Sequence, residues 1–409
     1  MEFCMEDQGK PSSFQQTHQG VKGSAPREET LQTRRWFLKS LGAGMLLTLS
    51  APSALALTGC DRDKLEEAGD AFFRGERKVV DDMGREVTIP TPEKLERIYF
   101  TSALAQIFVF TLNPDVLAGT GIQFTKRELE LLPEGYADLT YMGSLSGGGE
   151  IDREALVAQD VQLVFSVSGS PLNEANYDEA EKLQEMTGIP VLLVDGSFAS
   201  ISPAYRFMGS VMGVEERGEQ LAATCEQIYA DVIAAVADIP YEEKVGLYYA
   251  EGPEGLQTEP TASDHALAFD VAGARNVAEV AVTEGIGMSN VSLESVILWD
   301  PDVIIAWSAE IRGGADELIR SKSEWQVVKA VREGRVYTMP NTPFAWCDRP
   351  PGVNRYLGIQ WLANMLYPDR YNIDMVEAVK SFYKQFYWVD ISDDYAKGLL
   401  ANSYPPYRG

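Results

Sequence analysis

The chain has 409 residues, 45% of them hydrophobic, and carries a formal net charge of −26 at pH 7. Its length allows two domains of ordinary size, and so acidic a surface argues against nucleic acid or anionic lipid as a partner. The four cysteines include no C-x-x-C pair, and together with two histidines they offer no zinc-ligand spacing.

The first 59 residues are predicted to be a signal peptide. Residues 33–39 read TRRWFLK, a twin-arginine export signal, and an apolar stretch follows over residues 41–57. Glycine, serine and proline interrupt this stretch, which is too short for a membrane span. It ends in LTGC at residues 57–60, which resembles the lipobox of bacterial lipoproteins. This order of features favours a signal peptide over a transmembrane anchor that ends in cysteine.

Cys60 is therefore expected to be the lipidated first residue of the mature protein, which acyl chains would anchor to the cell membrane after twin-arginine export. Residues 60–78 are charged, lack periodicity and are predicted to be a tether. Removing residues 1–59 leaves 29 basic and 56 acidic side chains, a net charge of −27. The remaining cysteines, Cys225 and Cys347, either pair outside the cytoplasm or stay as two buried thiols.

Strands and helices alternate through the predicted N-terminal lobe, residues 79–204. A hairpin over residues 79–90 opens it. The predicted elements that follow are a strand at Arg97–Phe100, a helix from about Leu104, a strand at Asp115–Gly121, a helix and a strand within 152–168, a helix around 174–187 and a strand at Ile189–Asp195. This alternation is typical of a parallel sheet covered on both faces.

Residues 205–240 form a predicted helical connector, and Glu215–Ala237 is expected to be rigid after a glycine-induced break. The C-terminal lobe is predicted over residues 241–372, followed by a C-terminal helix and tail over residues 373–409. Its expected strands and helices are Lys244–Tyr249, 264–273, 292–299, Asp302–Trp307, Arg335–Thr338, Asn354–Leu366 and Asp374–Trp388.

One helix–strand segment occurs twice in the chain, and the two copies align without a gap. Residues 151–165 read IDREALVAQDVQLVF, and residues 291–305 read VSLESVILWDPDVII. Both copies begin with a helix N-cap residue and end in an apolar run that is typical of a buried strand. Two similar α/β lobes with a ligand-binding cleft between them are therefore predicted. The aligned pairs are Asp152 with Ser292, Glu154 with Glu294, and Asp160 with Asp300.

The two copies of the repeat and three other segments occur in an order that resembles one protein family. They are DDMGREVTIP with ERIYF (81–100), the two E-x5-D-x3-[VI] segments of the repeat, AFDVAGARNVA (268–278) and WQVVKAVREGRVYTMP (325–340). Over about residues 79–367 the chain resembles the periplasmic substrate-binding proteins of ABC importers for iron chelates and cobalamin. The resemblance implies an α/β fold of two Rossmann-like lobes with mainly parallel sheets, joined by one long α-helix.

The resemblance also implies a function without catalysis. A lipid-anchored, monomeric substrate-binding protein would capture a ligand between its lobes and deliver it to a permease with ATPase subunits. Family ligands include ferric siderophores, haem and cobalamin, and some members take molybdate or tungstate. An extracytoplasmic enzyme and a passive store are the rival classes, although the sequence contains no nucleotide-binding fingerprint, G-x-S-x-G motif or P-loop.

Glu154 and Glu294 are the predicted permease contacts. The resemblance implies that one acidic residue on each lobe meets arginines of the permease. A local role is compatible with this, because a carboxylate in the first helical turn gains about 0.3–1 kcal/mol from the helix dipole.

The predicted N-terminal half of the ligand site consists of Ser102, after a strand, and of Ser144, Leu145 and Ser146 in a glycine-rich loop at residues 143–149. The loop precedes a helix, so its amides could receive an oxyanion. Turn formation by the glycines is the alternative explanation for its composition.

The predicted C-terminal half contains aromatic and basic residues. Trp307 and Trp346 would form an aromatic wall for a bulky ligand. Arg349 could clamp a carboxylate or an oxyanion, or pair with Asp348 or Glu310. The remaining candidates are Tyr249, Thr258 and Arg355.

His265 is the sole histidine after residue 59 and is expected at the surface or beside a helix cap. One histidine cannot build the clusters that bind bare zinc or manganese, so neither a resident metal nor a cofactor is predicted. The ligand is expected to arrive as a metal chelate or, alternatively, as an oxyanion such as molybdate or tungstate.

Overall fold

The computed structural model describes residues 75–261, 263–281, 287–308 and 313–401. The predicted signal peptide, Cys60 and most of the predicted tether lie outside these residues. Within the described ranges, no helix has both the length and the apolar character required to cross a membrane.

The N-terminal lobe contains an antiparallel hairpin and a parallel three-stranded sheet in the order β3-β4-β5. The hairpin confirms the prediction for residues 79–90, although its first strand begins three residues earlier. The strands are β1 (Glu76–Val80), β2 (Glu86–Pro90), β3 (Ile98–Phe100), β4 (Leu163–Ser168) and β5 (Val191–Asp195).

Helices cover the three-stranded sheet, as the alternating pattern predicts. Their N-caps include Ser102, which accepts from the Ala105 amide, and Asn173, which accepts from the Asn176 amide. The helices of this lobe are α1 (Ala103–Leu112), α2 (Lys126–Leu129), α3 (Arg153–Ala158) and α4 (Glu174–Thr187).

The predicted strand Asp115–Gly121 is wrong. Residues Pro114–Val116 form a 3-10 turn because Asn113 caps the Asp115 amide and proline occupies the first position. The segment beyond it joins its neighbours only through isolated bridges, Ile98 with Leu117 and Thr120 with Tyr141. Apolar residues after a capped proline turn therefore line the core without forming a regular strand.

Two helices form the connector, α5 (Ile201–Met212) and α6 (Glu215–Val236). The predicted break falls at Gly213, whose φ of +70° suits glycine and whose missing side chain leaves room for Pro92. The apolar stripe of α6 is buried as predicted, including Cys225 at its centre. The longer of the two helices, α6, therefore links the two sheets.

The C-terminal lobe is built on a parallel four-stranded sheet in the order β11-β10-β6-β8, with a small antiparallel pair β7-β9. Its strands are β6 (Gly246–Ala250), β7 (Gln257–Thr258), β8 (Arg275–Asn276), β9 (Ser289–Asn290), β10 (Val303–Ala306) and β11 (Val336–Thr338). Its helices are α7 (Leu267–Val271), α8 (Leu293–Trp299), α9 (Asp316–Ser321), α10 (Lys329–Arg332) and α11 (Asn354–Leu366).

The duplicated segment has the same structure in both lobes. Asp152 caps α3 and Ser292 caps α8, each by accepting from the amide three residues later. Asp160 and Asp300 both have left-handed backbone conformations, with φ of 50° and 41°. The predicted repeat therefore extends from side-chain caps to the turn that joins each helix to its strand.

The C-terminal helices return to the N-terminal lobe. They are α12 (Met375–Tyr387) and α13 (Asp393–Leu400), of which the sequence predicted only the first. The Trp388 indole donates to the Phe110 carbonyl at 3.0 Å. The Phe198 and Tyr356 rings stack with centroids 5.0 Å apart. These contacts hold the two lobes together on the side of the connector.

Candidate functional site: the interlobe cavity

A cavity of about 540 Å³ lies between the two lobes at the carboxyl ends of their parallel strands, and we call it the interlobe cavity. Its walls come from six segments that are remote in sequence. The N-terminal lobe contributes Ser102, Ala103, Leu104, Ile122, Phe124, Glu128, Ser146, Val167 and Gly169. The C-terminal lobe contributes His265, Asn341, Pro343, Phe344, Ala345, Arg349, Pro350 and Pro351.

The beginning of helix α1 forms the polar part of the N-terminal wall. The Ser102 hydroxyl accepts from the Ala105 amide and donates to the Val167 carbonyl, each at 3.1 Å. The Ser146 hydroxyl accepts from the Ala103 amide at 3.3 Å. Two hydroxyls therefore lie at the positive end of a ten-residue helix, where negative charge is stabilised.

The glycine-rich loop serves mainly to make a tight turn. Gly143 has a φ of +82°, and a side chain there would collide with the Glu150 carbonyl. The Leu145 amide donates to the Thr101 carbonyl at 2.7 Å, and the Ser146 amide to the Ser144 hydroxyl at 3.1 Å. Because these two amides have partners within the protein, the loop contributes the Ser146 side chain to the cavity.

Arg349 is the principal cation of the C-terminal wall. Its guanidinium donates to Glu251 at 2.9 Å and to Glu259 at 2.6 Å, and lies 3.3 Å from the Asp348 carboxylate. Its backbone has a φ of +54°, a conformation that is costly for a residue other than glycine. The carboxylates hold the guanidinium in place, and part of it faces the interlobe cavity.

His265 lies beside Arg349 in the same wall. Its Nδ1 is 2.8 Å from the Asp348 carboxylate. The sequence places this histidine at the surface or beside a cap, and the structure adds that it lines the cavity and bonds to a buried acid. The Asp348 carboxylate also lies 3.4 Å from the buried Arg355 guanidinium. One acid therefore links both Arg349 and His265 to the interior.

Burial of several carboxylates together makes this wall sensitive to protonation. Burial raises the pKa of Glu251 to about 8; Arg349 opposes the rise, and the nearby charges of Asp348 and Glu259 reinforce it. Among the described residues, Oε2 of Glu251 has no hydrogen-bond donor. Burial lowers the pKa of Arg349, but the Asp348 and Glu251 charges outweigh it and the net direction is upward. The guanidinium therefore stays charged.

The remaining surface of the cavity is largely apolar. Phe124 from the N-terminal lobe meets Phe344 from the C-terminal lobe edge to face, with ring centroids 6.0 Å apart. Phe344 also packs against Phe110 and Tyr387, which fix its ring from behind. The cavity thus combines a few convergent polar groups with an aromatic and proline lining.

Of the ten predicted ligand-binding residues, the structure brings Ser102, Ser146 and Arg349 to the cavity wall. Ser144 and Leu145 lie in the loop behind Ser146. The buried Thr258, at the end of β7, does not reach the wall.

The predicted tryptophan wall is replaced by phenylalanines. Trp346 is 0% exposed and packs perpendicular to Trp361 in the core. Trp307 is also buried, with its indole donating to the Tyr249 hydroxyl at 2.6 Å and its ring 5.8 Å from the Arg349 guanidinium carbon. Both residues follow strands as predicted, but their side chains turn into the core behind the wall.

Arg355 does not reach the cavity either. It is fully buried at the start of α11 and donates to the Asp264 carbonyl at 2.6 Å. Burial lowers its pKa, an effect that the neighbouring Asp348 charge opposes. Arg355 therefore holds Asp348, which in turn holds His265 and Arg349.

The two predicted docking residues are exposed. Glu154 and Glu294 lie in the first turns of α3 and α8. Hydrogen bonds from its own amide and from Ser292 lower the pKa of Glu294, so it is ionised at neutral pH. Elsewhere, Cys225 and Cys347 are both buried and free, which resolves the pairing alternatives in favour of two thiols.

Sequence reasoning missed part of the wall. Phe124, Glu128 and Asn341 line the cavity, and Glu251 and Glu259 anchor Arg349. A carboxylate directly after a buried apolar run, as at Glu251 after β6, is the signal that could have indicated a charge partner in the interior. In the ranges that the structure describes, no group of three or more histidine, cysteine or carboxylate side chains is arranged to hold a metal ion.

Comparison with known proteins gives consistent matches. The model of the family described as periplasmic binding protein matches residues 123–343. An ABC transporter solute-binding protein from Sulfurospirillum deleyianum is 30% identical in sequence. Its structure aligns with a TM-score of 0.72 over 80% of this chain and 99% of that one.

Two further relatives differ in what their names say they bind. The molybdate-binding protein MolA of Haemophilus influenzae is 25% identical over 351 residues, 78% of this chain and 93% of MolA. The structure of Helicobacter pylori CeuE, in a Ni-His complex, aligns with a TM-score of 0.58 over 78% of this chain and 97% of that one. At 17% identity, the second likeness is one of fold alone.

Proposed function

The chain belongs to the periplasmic binding protein family, and we propose that its interlobe cavity captures a metal chelate for an ABC importer. Membership places the protein outside the cytoplasm as the substrate-binding component, with a small-molecule ligand and a permease as partners. The chelate would be a ferric siderophore, haem or cobalamin. We further infer that the protein binds this ligand without catalysis or a resident cofactor.

The observation that supports a chelate is the composition of the cavity. Its volume of about 540 Å³ lies in the range of sites for drug-sized ligands, and a single tetraoxo anion would leave most of it empty. Phe124, Phe344 and the neighbouring prolines suit an organic body. Arg349 lies in one wall and the Ser146 hydroxyl, at the start of α1, in the other, so an anionic group would find a donor on each side.

Calorimetric titration of the full chain tests the ligand class. The panel is a ferric catecholate, a ferric hydroxamate, haem, cobalamin and molybdate, each applied at neutral pH. We expect saturable binding of one metal complex and a loss of about tenfold or more in affinity for Arg349→Lys, because lysine cannot reproduce the guanidinium geometry. Lys322→Arg, a change at an exposed lysine of the same lobe, is the control. Binding of none of the metal complexes would contradict the proposal.

An oxyanion is the second candidate, and the similarity to a molybdate-binding protein favours it. The polar groups required are present, since a helix N-terminus with two hydroxyls lies across the cavity from a guanidinium. Molybdate binding alone from the panel, with no response to the chelates, would favour this candidate over the first.

We propose that Glu154 and Glu294 contact the permease. Each is exposed at the same place in one of two equivalent helices, an arrangement that helix stabilisation alone does not require. Glu154→Ala with Glu294→Ala should abolish ligand uptake by cells while ligand affinity is unchanged. Glu174→Ala, at an exposed first-turn glutamate of α4, is the matched control. Normal uptake by the double variant would reject this role.

Export and anchoring complete the proposal. We infer that residues 1–59 direct twin-arginine export and that lipidated Cys60 tethers a monomer to the membrane. Arg34→Lys with Arg35→Lys should retain the protein in the cytoplasm, and Cys60→Ser should release it from the membrane fraction. Membrane-bound Cys60→Ser protein would contradict lipid anchoring. The single long helix and the packing of α12 onto the N-terminal lobe support small lobe motions.

A further inference from the structure

The duplicated helices expose apolar side chains as well as glutamates. Val157, in α3, is 55% exposed, and its equivalent Ile297, in α8, is 37% exposed. The next residue of α8, Leu298, is 83% exposed, whereas Ala158 stands at the equivalent position of α3. We call these surfaces the docking faces: Glu154 with residues 157–158, and Glu294 with residues 297–298.

Helical spacing places the residues of each docking face on one side of their helix. Residues three and four positions apart on a helix are neighbours, so the apolar positions lie one turn beyond each glutamate. The opposite face of each helix packs inward, since Leu156 and Val296 are fully buried at equivalent positions. Packing within each lobe is therefore satisfied without the exposed side chains, and the duplication gives them the same position twice.

A single exposed apolar residue requires no explanation, because such residues are common at protein surfaces. Here an exposed apolar residue, Val157 or Ile297, lies beside an exposed carboxylate at the same position in both copies of the repeat. Other exposed apolar residues, such as Val80 on the N-terminal hairpin, have no equivalent in the repeat. The recurrence indicates a partner that presents one type of surface twice.

We propose that the docking faces form the permease interface, in which each glutamate meets a basic side chain and the adjacent apolar residues enter an apolar recess. This inference rests on the proposed docking role of Glu154 and Glu294. It adds that the partner repeats the same basic and apolar surface about a two-fold axis. It also adds that the faces are unequal, because the C-terminal face exposes Ile297 and Leu298 where the N-terminal face exposes Val157 and alanine.

Because the two docking faces expose apolar side chains of different size, we expect them to have different roles in the interface. Exposed charge pairs contribute mainly to orientation and association rate, whereas an anchor buried at an interface contributes to affinity. Leu298 is the most exposed large apolar side chain among the described residues. We therefore expect the C-terminal face to contribute more of the affinity than the N-terminal face.

The affinity of the full lipid-anchored chain for the purified importer complex in nanodiscs tests this inference. Ile297→Ser with Leu298→Ser should weaken association about tenfold or more, and Val157→Ser by a smaller factor. Val80→Ser, at a residue that is 60% exposed, should leave association unchanged. Calorimetric ligand affinity, the same for all variants, would show that the cavity is intact.

The glutamate variants separate this inference from the docking proposal. If Glu154→Ala with Glu294→Ala weakens association and the serine variants do not, the apolar contribution is rejected and glutamate docking stands. If the serine variants alone weaken it, the apolar faces stand without the charge pairs. If neither set has an effect, both ideas fail.

Photo-crosslinking locates the contact independently of affinity. Leu298→p-benzoylphenylalanine and Val157→p-benzoylphenylalanine, made in the full chain in the native membrane, should both form adducts with the permease subunit. The same substitution at Val80 is the control. Adducts at positions 157 and 298 that contain no permease peptide would overturn the inference.

Discussion

The two lobes share a helix–strand repeat, yet they build their walls of the interlobe cavity in different ways. The N-terminal lobe presents the start of α1, where Ser102 and Ser146 bond to nearby backbone groups. The C-terminal lobe presents Arg349, which is held by carboxylates from two other segments of the chain. One wall depends on local backbone geometry, whereas the other depends on a buried charge network.

This difference predicts how each wall responds to change. A capping hydroxyl can be removed at modest cost because water and neighbouring groups replace it. A buried guanidinium cannot, because its removal leaves uncompensated carboxylates in the interior. Substitutions in the C-terminal wall should therefore affect both folding and binding, and those in the N-terminal wall mainly binding.

The largest effect is expected for Arg349→Ala. Glu251, Glu259 and Asp348 would lose their shared cation, and the free energy of unfolding should fall by about 3–5 kcal/mol at neutral pH. Urea denaturation followed by circular dichroism measures this change. Adding Glu259→Gln to the variant should restore part of the loss because it removes a buried carboxylate that Arg349 pairs with. Wild-type stability for Arg349→Ala would contradict the charge-network account.

The pH dependence of stability tests Glu251 directly. Its pKa is about 8 in the folded protein and its ordinary value is 4.5, so the folded state holds the proton more tightly. The stabilisation is fully present below about pH 4.5 and is lost as the pH rises through about 8. The wild type should therefore lose stability relative to Glu251→Gln between these limits, by no more than a few kcal/mol. Parallel stability curves over this range would contradict the assignment.

A smaller effect is expected for Ser102→Ala. The change removes the cap of α1 and should lower the free energy of unfolding by about 0.5–2 kcal/mol. Ser292→Ala is a matched control, since it removes the equivalent cap of α8, which does not line the cavity. Both variants should lose similar stability in thermal denaturation, but only Ser102→Ala should weaken ligand binding in calorimetry. Equal ligand affinities would exclude the start of α1 from the site.

The smallest effect is expected for substitutions at Asp160 and Asp300, the two aspartates of the repeat with left-handed backbone conformations. Asp160→Gly relieves an unfavourable backbone conformation and should raise stability by up to about 1 kcal/mol. Asp300→Gly should be less favourable, because the Asp300 carboxylate accepts from the Lys329 amide at 2.8 Å. Melting temperatures of the two variants measure the difference. A higher melting temperature for Asp300→Gly would contradict a structural role for that hydrogen bond.

Local features of this fold were predictable from the sequence. The caps at Asp152 and Ser292, the break near Gly213 and the buried stripe of α6 depend on residues close together in the chain. The strand prediction for Asp115–Gly121 failed because Asn113 and Pro114 redirect the backbone. Apolar content alone cannot reveal that change of direction.

The candidate site was predictable only in part. Arg349 and the two serines were predicted because strand ends and loops carry polar groups to the cleft. Glu251 and Glu259 lie about 90 residues or more before Arg349, so their pairing depends on tertiary packing. Within one loop the sequence favoured Trp346 as the wall, but the larger ring is buried against Trp361 and Phe344 faces the cavity.

Anomalous X-ray diffraction from crystals of the ligand complex tests the central proposal most directly. Iron, cobalt and molybdenum each have an absorption edge, so one experiment locates the metal of any ligand on the panel. The account predicts an anomalous peak inside the interlobe cavity, with the ligand between Arg349 and the start of α1 at Ser102 and its organic part against Phe124 and Phe344. A peak outside the cavity, with the cavity itself empty, would contradict the account.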